Sequence, residues 1–175
     1  MRLGTHNSGT GERPANFFAK YFPFIAQCQS KTIEEQCEAG VELFDLRVKE
    51  HGNDYYLCHG LARYDITLGK ALNIIDRKAK PLSVVMVTYE GELCDPDDFV
   101  GLVRLNFNNL FNVRLGNISV KKPEWRTYYP SPYQPLYEQN YPKLVGWKAL
   151  LPFPRLWRLF YRKVESDNIV MEDFV

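Results

Sequence analysis

The chain has 175 residues, of which 45% are hydrophobic and 25% are charged, a composition that excludes a disordered or collagen-like protein. Its 22 basic and 21 acidic residues leave a formal charge of +1, which argues against a nucleic-acid partner. No stretch approaches the roughly 18 apolar residues of a membrane-spanning helix, and the length fits one domain over residues 1–175.

Cysteine usage and the first residues bear on the compartment. The four cysteines match no metal-ligand spacing and are too few for a disulfide scaffold. Gly4, Thr5 and His6 already read as part of a folded domain rather than as a signal peptide. The sequence as written predicts a soluble, intracellular protein, whereas removal of a leader before residue 1 would indicate a secreted one.

The first 115 residues alternate between strand and helix patterns. A helix begins after Thr32, where the spacing to Glu35 forms a capping box, and it ends near Gly40. A second helix follows Thr67 and stops before residue 81, and a third begins at the Asp95-Pro96 pair. Strand candidates rich in apolar and β-branched residues lie at 41–48, 55–59, 82–89 and 168–175. Strands that alternate with helices predict a parallel sheet, either open or closed into a barrel.

The second half is less regular, because seven of the 11 prolines lie between residues 123 and 154. Residues 150–163 combine aromatic side chains with arginine and lysine and contain no acid. This pattern fits an outer helix of a barrel, and it also fits a peripheral contact with a membrane surface. Further candidates for lining a ligand pocket are Trp125, Arg126, Tyr128 and Tyr129.

Charged or titratable side chains lie at or near the ends of several strands that otherwise read as buried. They are His6, Asp45, Arg47, His59, Glu90 and Asp173. The carboxyl ends of parallel strands meet at the ligand-binding edge of a sheet or barrel, so we expect these side chains to converge there. Each feature alone has a simpler interpretation, because Asp45 and Arg47 can form a structural ion pair and a single histidine is often structural.

This set of residue types suits one kind of chemistry. One histidine can act as a general base and the other as a general acid, while an arginine stabilises a pentavalent phosphate. These groups are sufficient to cleave a phosphodiester without a metal. The sequence contains no G-x-S-x-G, H-E-x-x-H or P-loop motif that would indicate a competing chemistry.

Several motifs, in a fixed order, resemble the catalytic X domain of phosphatidylinositol-specific phospholipases C, above all the bacterial enzymes. They are GTHNSGT at 4–10, Gln36 with Gly40-Val41, FDLRV at 44–48, His59-Gly60 and IVMEDF at 169–174. The resemblance implies an α/β fold of the TIM-type (β/α) barrel class. Because such a barrel typically takes about 250 residues, this one is expected to be pared down or incomplete.

The resemblance also implies an activity, the cleavage of phosphatidylinositol or a related inositol phosphodiester to diacylglycerol and inositol 1,2-cyclic phosphate. His6 resembles the general base, Asp173 the carboxylate paired with it, and His59 the general acid. Arg47 stands where bacterial members use an arginine in place of calcium, and Asp45 would assist the acid or the leaving group. A monomer acting without a cofactor on phospholipid at a membrane surface is expected.

Two positions depart from the bacterial pattern. Residue 7 is Asn, where well-known bacterial members carry Asp and calcium-dependent members carry Asn. Glu90 lies where calcium-dependent members place a ligand and metal-independent members a lysine. Asn7 and Glu90 are therefore expected to contact substrate or, with Asp45, to form an alternative calcium site. The fixed charge of Arg47 beside such a cation favours the metal-free interpretation.

Two alternative functions stay open. One is a related barrel phosphodiesterase that cuts glycerophosphodiesters or sphingolipids, normally with a metal, although the usual H-R-G context is His6-Asn7-Ser8 here. The other is a non-catalytic lipid-binding module derived from the same fold. The joint presence of two histidines and their carboxylates argues against the binding module.

Overall fold

A computed structural model describes residues 2–91, 95–107, 109–121, 126–129, 131–133, 136–139 and 166–175, with the backbone alone at 126, 127 and 139. The strands are β1 (Arg2–Thr5), β2 (Leu43–His51), β3 (Asp54–His59), β4 (Ala62–Thr67), β5 (Ser83–Tyr89), β6 (Val113–Lys121), β7 (Arg126–Tyr129), β8 (Tyr137–Gln139) and β9 (Ile169–Glu172). The helices are α1 (Phe17–Tyr21), α2 (Pro23–Ala26), α3 (Ile33–Glu38), α4 (Leu68–Lys78) and α5 (Pro96–Phe107), with a 3-10 turn at Ser8–Gly11.

The sheet is mainly parallel. Its hydrogen-bonded order within the described residues is β7-β6-β5-β2-β1-β9-β8, and each neighbouring pair is parallel except β6 with β7. The prediction of a parallel sheet is therefore confirmed for β1, β2, β5 and β9. It is wrong for the strand at 55–59, because β3 runs antiparallel to β2 and continues into antiparallel β4. The link Gly52-Asn53 is too short for the crossover that a parallel pair requires.

Local signals in the sequence account for the helix boundaries. The capping box before α3 is present, with the Thr32 side chain accepting from the Glu35 N–H and the Glu35 carboxylate accepting from the Thr32 N–H. Gly40 follows the helix at φ +81°, a left-handed conformation that costs glycine little. The Thr67 hydroxyl caps α4 at the Lys70 N–H, and the Asp95 carboxylate accepts from the N–H of Asp97 at the start of α5.

The two faces of the sheet bury different clusters. Alternation along β2 sends Phe44, Leu46 and Val48 to the outer face, where they pack with α3, α4 and α5 in the main core. Leu43 points to the inner face and joins a smaller cluster with Val84, Ile169 and Met171. Asp45 and Arg47 share that inner face, so the polar residues of β2 lie above a small apolar floor.

Other elements carry weaker sequence signals and were not anticipated. They are the short helices α1 and α2 and the strands β4, β6, β7 and β8. Within the described residues, no helix is long and apolar enough to cross a bilayer.

Candidate active site

Strand register brings three of the sequence-predicted residues side by side. Thr5 of β1 pairs with Phe44 of β2 on one side and with Glu172 of β9 on the other. The next residue in each strand path is His6, Asp45 or Asp173, so the parallel arrangement sets the three at one level. Asp45 and Arg47 then continue along the same face, beside Met86 and Thr88 of β5.

His6 is buried, and its hydrogen-bond partners indicate the tautomer of its ring. Nδ1 lies 2.9 Å from Asp173 Oδ1, and Nε2 lies 2.8 Å from Arg47 Nη2. A guanidinium only donates hydrogen bonds, so Nε2 must accept and the proton of the neutral ring sits on Nδ1, donating to Asp173. The Asn7 side-chain amide lies 3.3 Å from the same Nε2. The ring is thus oriented with its Nε2 lone pair on the side of Arg47, and His6 contributes to the wall of the cleft described below.

Arg47 is held between two buried carboxylates. Its Nε and Nη2 each lie 3.2 Å from Asp45 Oδ2, and its Nη1 lies 3.4 Å from Glu90 Oε1. Burial alone would lower the pKa of Arg47, but the two carboxylates outweigh it and raise that pKa. Burial also works to raise the pKa of Asp45, and Arg47 and His6 reverse this, so the pKa of Asp45 falls below its ordinary value. The predicted ion pair is present, and both members stay charged.

His59 reaches the same site from the end of the β3–β4 hairpin. Its Nδ1 donates to the carbonyl of Ala26 at 2.7 Å, which leaves Nε2 to carry the second proton of the charged ring. The His6 and His59 ring centroids are 6.4 Å apart. Burial lowers the pKa of His59, with a further lowering from Arg47 and His6 that the Ala26 hydrogen bond and Glu90 oppose. The neutral form of the His59 ring is therefore favoured. A negatively charged ligand close to the ring would shift the balance toward the protonated form.

A small cleft opens beside these groups. Its volume is about 110 Å³, and His6, Asp45 and Arg47 contribute to its wall. The other described lining residues are Met86, Thr88, Asn117, Ser119, Tyr128, Tyr137 and Met171. The hydroxyls of Thr88 and Ser119, on neighbouring strands β5 and β6, hydrogen-bond to each other at 2.7 Å. The cleft thus combines a charged end with a neutral, hydroxyl-bearing wall over methionine side chains.

Asn7 and Glu90 are buried beside the cleft and do not line it. The Asn7 backbone N–H donates to Asp45 Oδ2 at 3.2 Å, while its Oδ1 has no partner among the described residues. Glu90 accepts from the Gly60 N–H at 2.8 Å and lies 3.7 Å from Lys121 Nζ. Burial would raise the pKa of Glu90, but the Gly60 hydrogen bond and then Arg47 lower it.

The described residues contain two sets of candidate metal ligands, and in neither set are all the ligand groups free to bind an ion. Asp45 and Glu90, from the predicted calcium set, already share Arg47, whose guanidinium lies between them. Ligand atoms of His6, Cys28 and Asp173 lie within 4.8 Å of one another. Burial raises the pKa of the Cys28 thiol, and Asp173 raises it further, so this sulfur is protonated at neutral pH. The His6 Nδ1 proton, in turn, is engaged by Asp173.

The structure therefore brings together the residues for which the sequence predicts catalysis. The prediction that His59 lies at the carboxyl end of a parallel strand was wrong, because this residue lies in a strand of an antiparallel hairpin. Among the pocket candidates, Tyr128 lines the cleft, Tyr129 instead donates to Asp97, and the side chains of Trp125 and Arg126 lie outside the described residues. The membrane-contact segment 150–163 also lies outside them.

Several supporting residues escaped the sequence analysis. Buried Gln29 donates to the backbone carbonyls of His6 and Glu172 at 2.9 and 2.8 Å, and so fixes the chain on both sides of the His6–Asp173 pair. Gln36, noticed only as part of a motif, donates to the Ser8 carbonyl at 2.8 Å. A signal was present for Thr88, a polar residue inside the apolar strand candidate at 82–89, but not for Ser119, whose strand was not anticipated.

No family model and no curated protein sequence matches the chain. Solved structures do match it. The phosphatidylinositol-specific phospholipase C from Listeria monocytogenes is similar at 14% identity with a TM-score of 0.69, over 99% of this chain and 87% of that chain. A mutant of the phosphatidylinositol-specific phospholipase C from Staphylococcus aureus is similar at 12% identity with a TM-score of 0.65, over 99% and 84%.

A second mutant of the S. aureus enzyme aligns at 19% identity with a TM-score of 0.53, over 69% of this chain and 47% of that chain. In that alignment the chain spans about half the length of its relative. At these identities the likeness shows the fold. It confirms the prediction of an α/β barrel of pared-down form.

Proposed function

We propose that this protein is a phosphodiesterase of the phosphatidylinositol-specific phospholipase C type, and that it cleaves phosphatidylinositol or a related inositol phosphodiester. One observation supports this most directly. The Asp173–His6 pair directs an imidazole lone pair toward Arg47 at 2.8 Å, with a second histidine ring 6.4 Å away. A base and a fixed cation on the wall of one cleft, with a second histidine beside them as the acid, match the needs of phosphodiester cleavage.

The proposed reaction uses a nucleophile within the substrate. The inositol 2-hydroxyl oxygen forms a bond to phosphorus as its proton passes to Nε2 of His6. The bond from phosphorus to the diacylglycerol oxygen breaks, and this oxygen takes a proton from Nε2 of His59. The products are inositol 1,2-cyclic phosphate and diacylglycerol. His6 is left protonated and His59 neutral, so His6 must lose a proton to solvent and His59 must regain one before the next turnover. Because the nucleophile is already attached to the substrate, proximity supplies part of the rate.

Arg47 would stabilise the charge that develops on the phosphoryl oxygens. Its hydrogen bonds to Asp45, Glu90 and His6 use four of the five guanidinium N–H groups, and the fifth has no acceptor among the described residues. That remaining N–H is available to a phosphoryl oxygen in the cleft. The placement of Arg47 between Asp45 and Glu90 supports chemistry without a metal, while the unpaired Asn7 Oδ1 is the feature that a calcium ion would satisfy.

The lipid part of the proposal is supported by an aromatic cluster on α1 and α2. Its members are Phe17, Phe18, Tyr21, Phe22 and Phe24, whose neighbouring rings lie 4.7–6.1 Å apart. Phe17 is 69% exposed, Tyr21 56% and Phe24 41%. Aromatic side chains with a nearby cation, here Lys20, suit the interface of an anionic membrane. α2 ends at Ala26, whose carbonyl accepts from His59, so the cluster lies beside the candidate active site.

The proposal is tested by incubating the protein with phosphatidylinositol vesicles in excess chelator, and then with added calcium, and measuring water-soluble inositol phosphate. Release in chelator is the expected result. Release that requires calcium would replace the metal-free mechanism with a site built on Asn7, Asp45 and Glu90. No release from a folded sample in either condition would contradict the enzyme and favour a lipid-binding module.

A further inference from the structure

Glu90 is the buried charged group of this site that the proposed mechanism leaves without a task. Its side chain is 2% exposed and does not line the cleft. Its carboxylate contacts Arg47, Lys121, the Cys58 thiol and the backbone N–H of Gly60. The shortest of these contacts, 2.8 Å, goes to Gly60, which immediately follows His59.

The turn that carries His59 is short, and the Asn16 side-chain amide holds its second residue by donating to the Leu61 carbonyl at 2.8 Å. His59 pairs with Ala62 across the turn Gly60-Leu61, and Gly60 adopts φ +58°, a conformation in which glycine is the least restricted residue. Both turn residues are exposed. The Gly60 N–H nevertheless donates inward, to the side-chain carboxylate of Glu90, the residue that follows β5. The hairpin tip is thereby tied to the central sheet.

This tie complements the contacts of the His59 ring itself, in which Nδ1 lies 2.7 Å from the Ala26 carbonyl and 3.8 Å from Cys28 Sγ. The Ala26 carbonyl holds Nδ1 and so sets the tautomer, but α2 is only four residues long and belongs to a different part of the chain. The second tie, from Glu90 to the adjacent peptide, sets where the His59 backbone stands relative to Arg47. Another Glu90 partner, Arg47, is already held by Asp45.

We propose that Glu90 is a positioning residue that holds His59 in place through the Gly60 N–H, so that the general acid meets the leaving oxygen. The inference rests on the proposed function and adds a task for a residue that does not touch substrate. A misplacement of about 1 Å can cost on the order of 10²-fold in rate, so loss of this hydrogen bond should be measurable.

Two variants separate the hydrogen bond from the charge. Glu90→Met has a similar volume but removes the acceptor for the Gly60 N–H. Glu90→Gln keeps an oxygen acceptor for Gly60 and removes the charge beside Arg47 and Lys121. If Glu90 acts through Gly60, the methionine variant loses the positioning of His59 and the glutamine variant retains it.

The readout is the dependence on the leaving group. A general acid is needed to expel diacylglycerol, a poor leaving group, and is not needed to expel 4-nitrophenolate from an inositol 4-nitrophenyl phosphodiester. Glu90→Met should lower phosphatidylinositol cleavage on the order of 10²-fold while lowering cleavage of the activated substrate much less. In Glu90→Gln the ratio of the two rates should stay at the wild-type value. An equal loss with both substrates in Glu90→Met would show action through Arg47 and overturn the proposal.

A double-mutant cycle with His59→Ala supplies an independent check. If Glu90 acts through His59, Glu90→Met costs almost nothing further in the His59→Ala background. A full, additive loss there would contradict the inference. Failure of the proposed function is distinct, because the wild-type protein would then cleave neither substrate.

If Glu90→Met does not fold, amide hydrogen exchange of the wild-type protein decides. The Gly60 amide is exposed in a turn, yet its hydrogen bond to Glu90 requires slow exchange. Exchange of the Gly60 amide at the rate of an unprotected peptide would overturn the proposal, and protection that disappears in Glu90→Ala or another folded variant lacking the acceptor would support it.

Discussion

Arg47 connects most of the charged residues in this site. It contacts Asp45 and Glu90 through ion pairs and His6 through a hydrogen bond, and it faces the cleft. A buried ion pair contributes little net stability compared with apolar packing, but removing one partner leaves the other charge unpaired at high cost. This geometry depends on the planar, forked guanidinium, which lysine cannot reproduce.

Arg47→Lys should therefore retain the fold and lose activity. The ammonium keeps a positive charge near Asp45 and Glu90 but cannot contact both and the phosphoryl group at once. We expect kcat for phosphatidylinositol to fall by roughly 10²-fold or more, the scale seen when a charge-stabilising donor is removed. Arg77→Lys, on the exposed side of α4, is the matched control and should leave kcat unchanged. Wild-type turnover in folded Arg47→Lys would contradict the assigned role.

The pH dependence follows from His59, which must be protonated to act as an acid. Burial lowers the pKa of His59 first, and Arg47 and His6 lower it further, against the opposing effects of the Ala26 carbonyl and Glu90. The active protonated form is therefore lost as pH rises, beginning below the ordinary histidine value of about 6.5. We expect the basic limb of kcat/KM, measured from pH 4.5 to 8.5, to lie on the acidic side of neutrality. A basic limb above pH 8 would exclude His59 as the acid.

Sequence reasoning at this scale identifies residues whose chemistry is conspicuous. Titratable or charged side chains among apolar neighbours are easy to recognise in a sequence. Here they are His6, Asp45, Arg47, His59 and Asp173. Gln29 and the Ala26 carbonyl orient two of them and leave no such mark, because an amide or a backbone carbonyl occurs everywhere. Their importance depends on which distant atoms meet them after folding.

At the scale of elements, the short helices α1 and α2 carry a prediction about membrane binding. Their exposed aromatic rings lie beside His59, whereas Phe111, which is 92% exposed, precedes β6 at the amino end of the sheet, away from the cleft. We expect the double variant Phe17→Ser with Phe24→Ser to bind anionic vesicles at least tenfold more weakly in a sedimentation assay, since each buried aromatic side chain contributes about 1.5–3 kcal/mol. Phe111→Ser is the control and should bind as the wild type does.

Cleavage of a soluble inositol phosphodiester by that double variant should stay near the wild-type rate, because the aromatic cluster does not line the cleft. Equal vesicle binding by the double variant and the control would remove the membrane role of α1 and α2. Loss of activity on the soluble substrate would place these helices in the active site instead.

Elements with a strong local signal were predicted, and those fixed by tertiary contacts were not. The caps of α3 and α4 are local hydrogen bonds, so the sequence indicates where these helices begin. The antiparallel course of β3 depends on the tight Gly52-Asn53 link, and the prediction of a parallel sheet did not include this link. Helices as short as α1 and α2 have too few residues for a periodic pattern and depend on their packing for stability.

The whole molecule should be most stable near neutral pH. Asp45 and Glu90 have pKa values lowered by folding, so the stability they contribute is present above the unfolded values of about 4 and is lost as pH falls further. The lowered pKa of His59 acts in the same direction below about pH 6.5, because the unfolded chain then binds the proton more readily. Burial raises the pKa of Cys58 to about 12, so stability also declines above about pH 8.5, where the unfolded thiol ionises.

Urea unfolding between pH 4 and 10 checks this expectation. The free energy of unfolding should pass through a maximum between about pH 6.5 and 8.5 and fall on both sides. A free energy that increases steadily from pH 7 to pH 4 would show that the buried carboxylates and His59 are not ionised as their contacts indicate.

At the scale of the chain, the sequence predicts the parallel α/β architecture and its reduced size, and the likeness to phospholipase C structures confirms both. The sequence did not predict the middle strands. β8 lies in a region dense in proline and tyrosine, and β6 carries polar residues such as Asn117 and Ser119 that face a cleft rather than a core. The pairing of β6 with β5 also contains a register shift, which interrupts the period-2 alternation that would otherwise mark a strand.

The central claim is that His6 and His59 cleave an inositol phosphodiester through attack by the substrate's own hydroxyl. The most direct test is phosphorus NMR of the products formed from phosphatidylinositol in excess chelator, by the wild-type protein and by His6→Ala. The account predicts the resonance of a five-membered cyclic phosphodiester with the wild type, and a rate lower by on the order of 10²–10⁴-fold with the variant. Direct formation of an acyclic phosphomonoester, or equal rates from the two folded proteins, would contradict it.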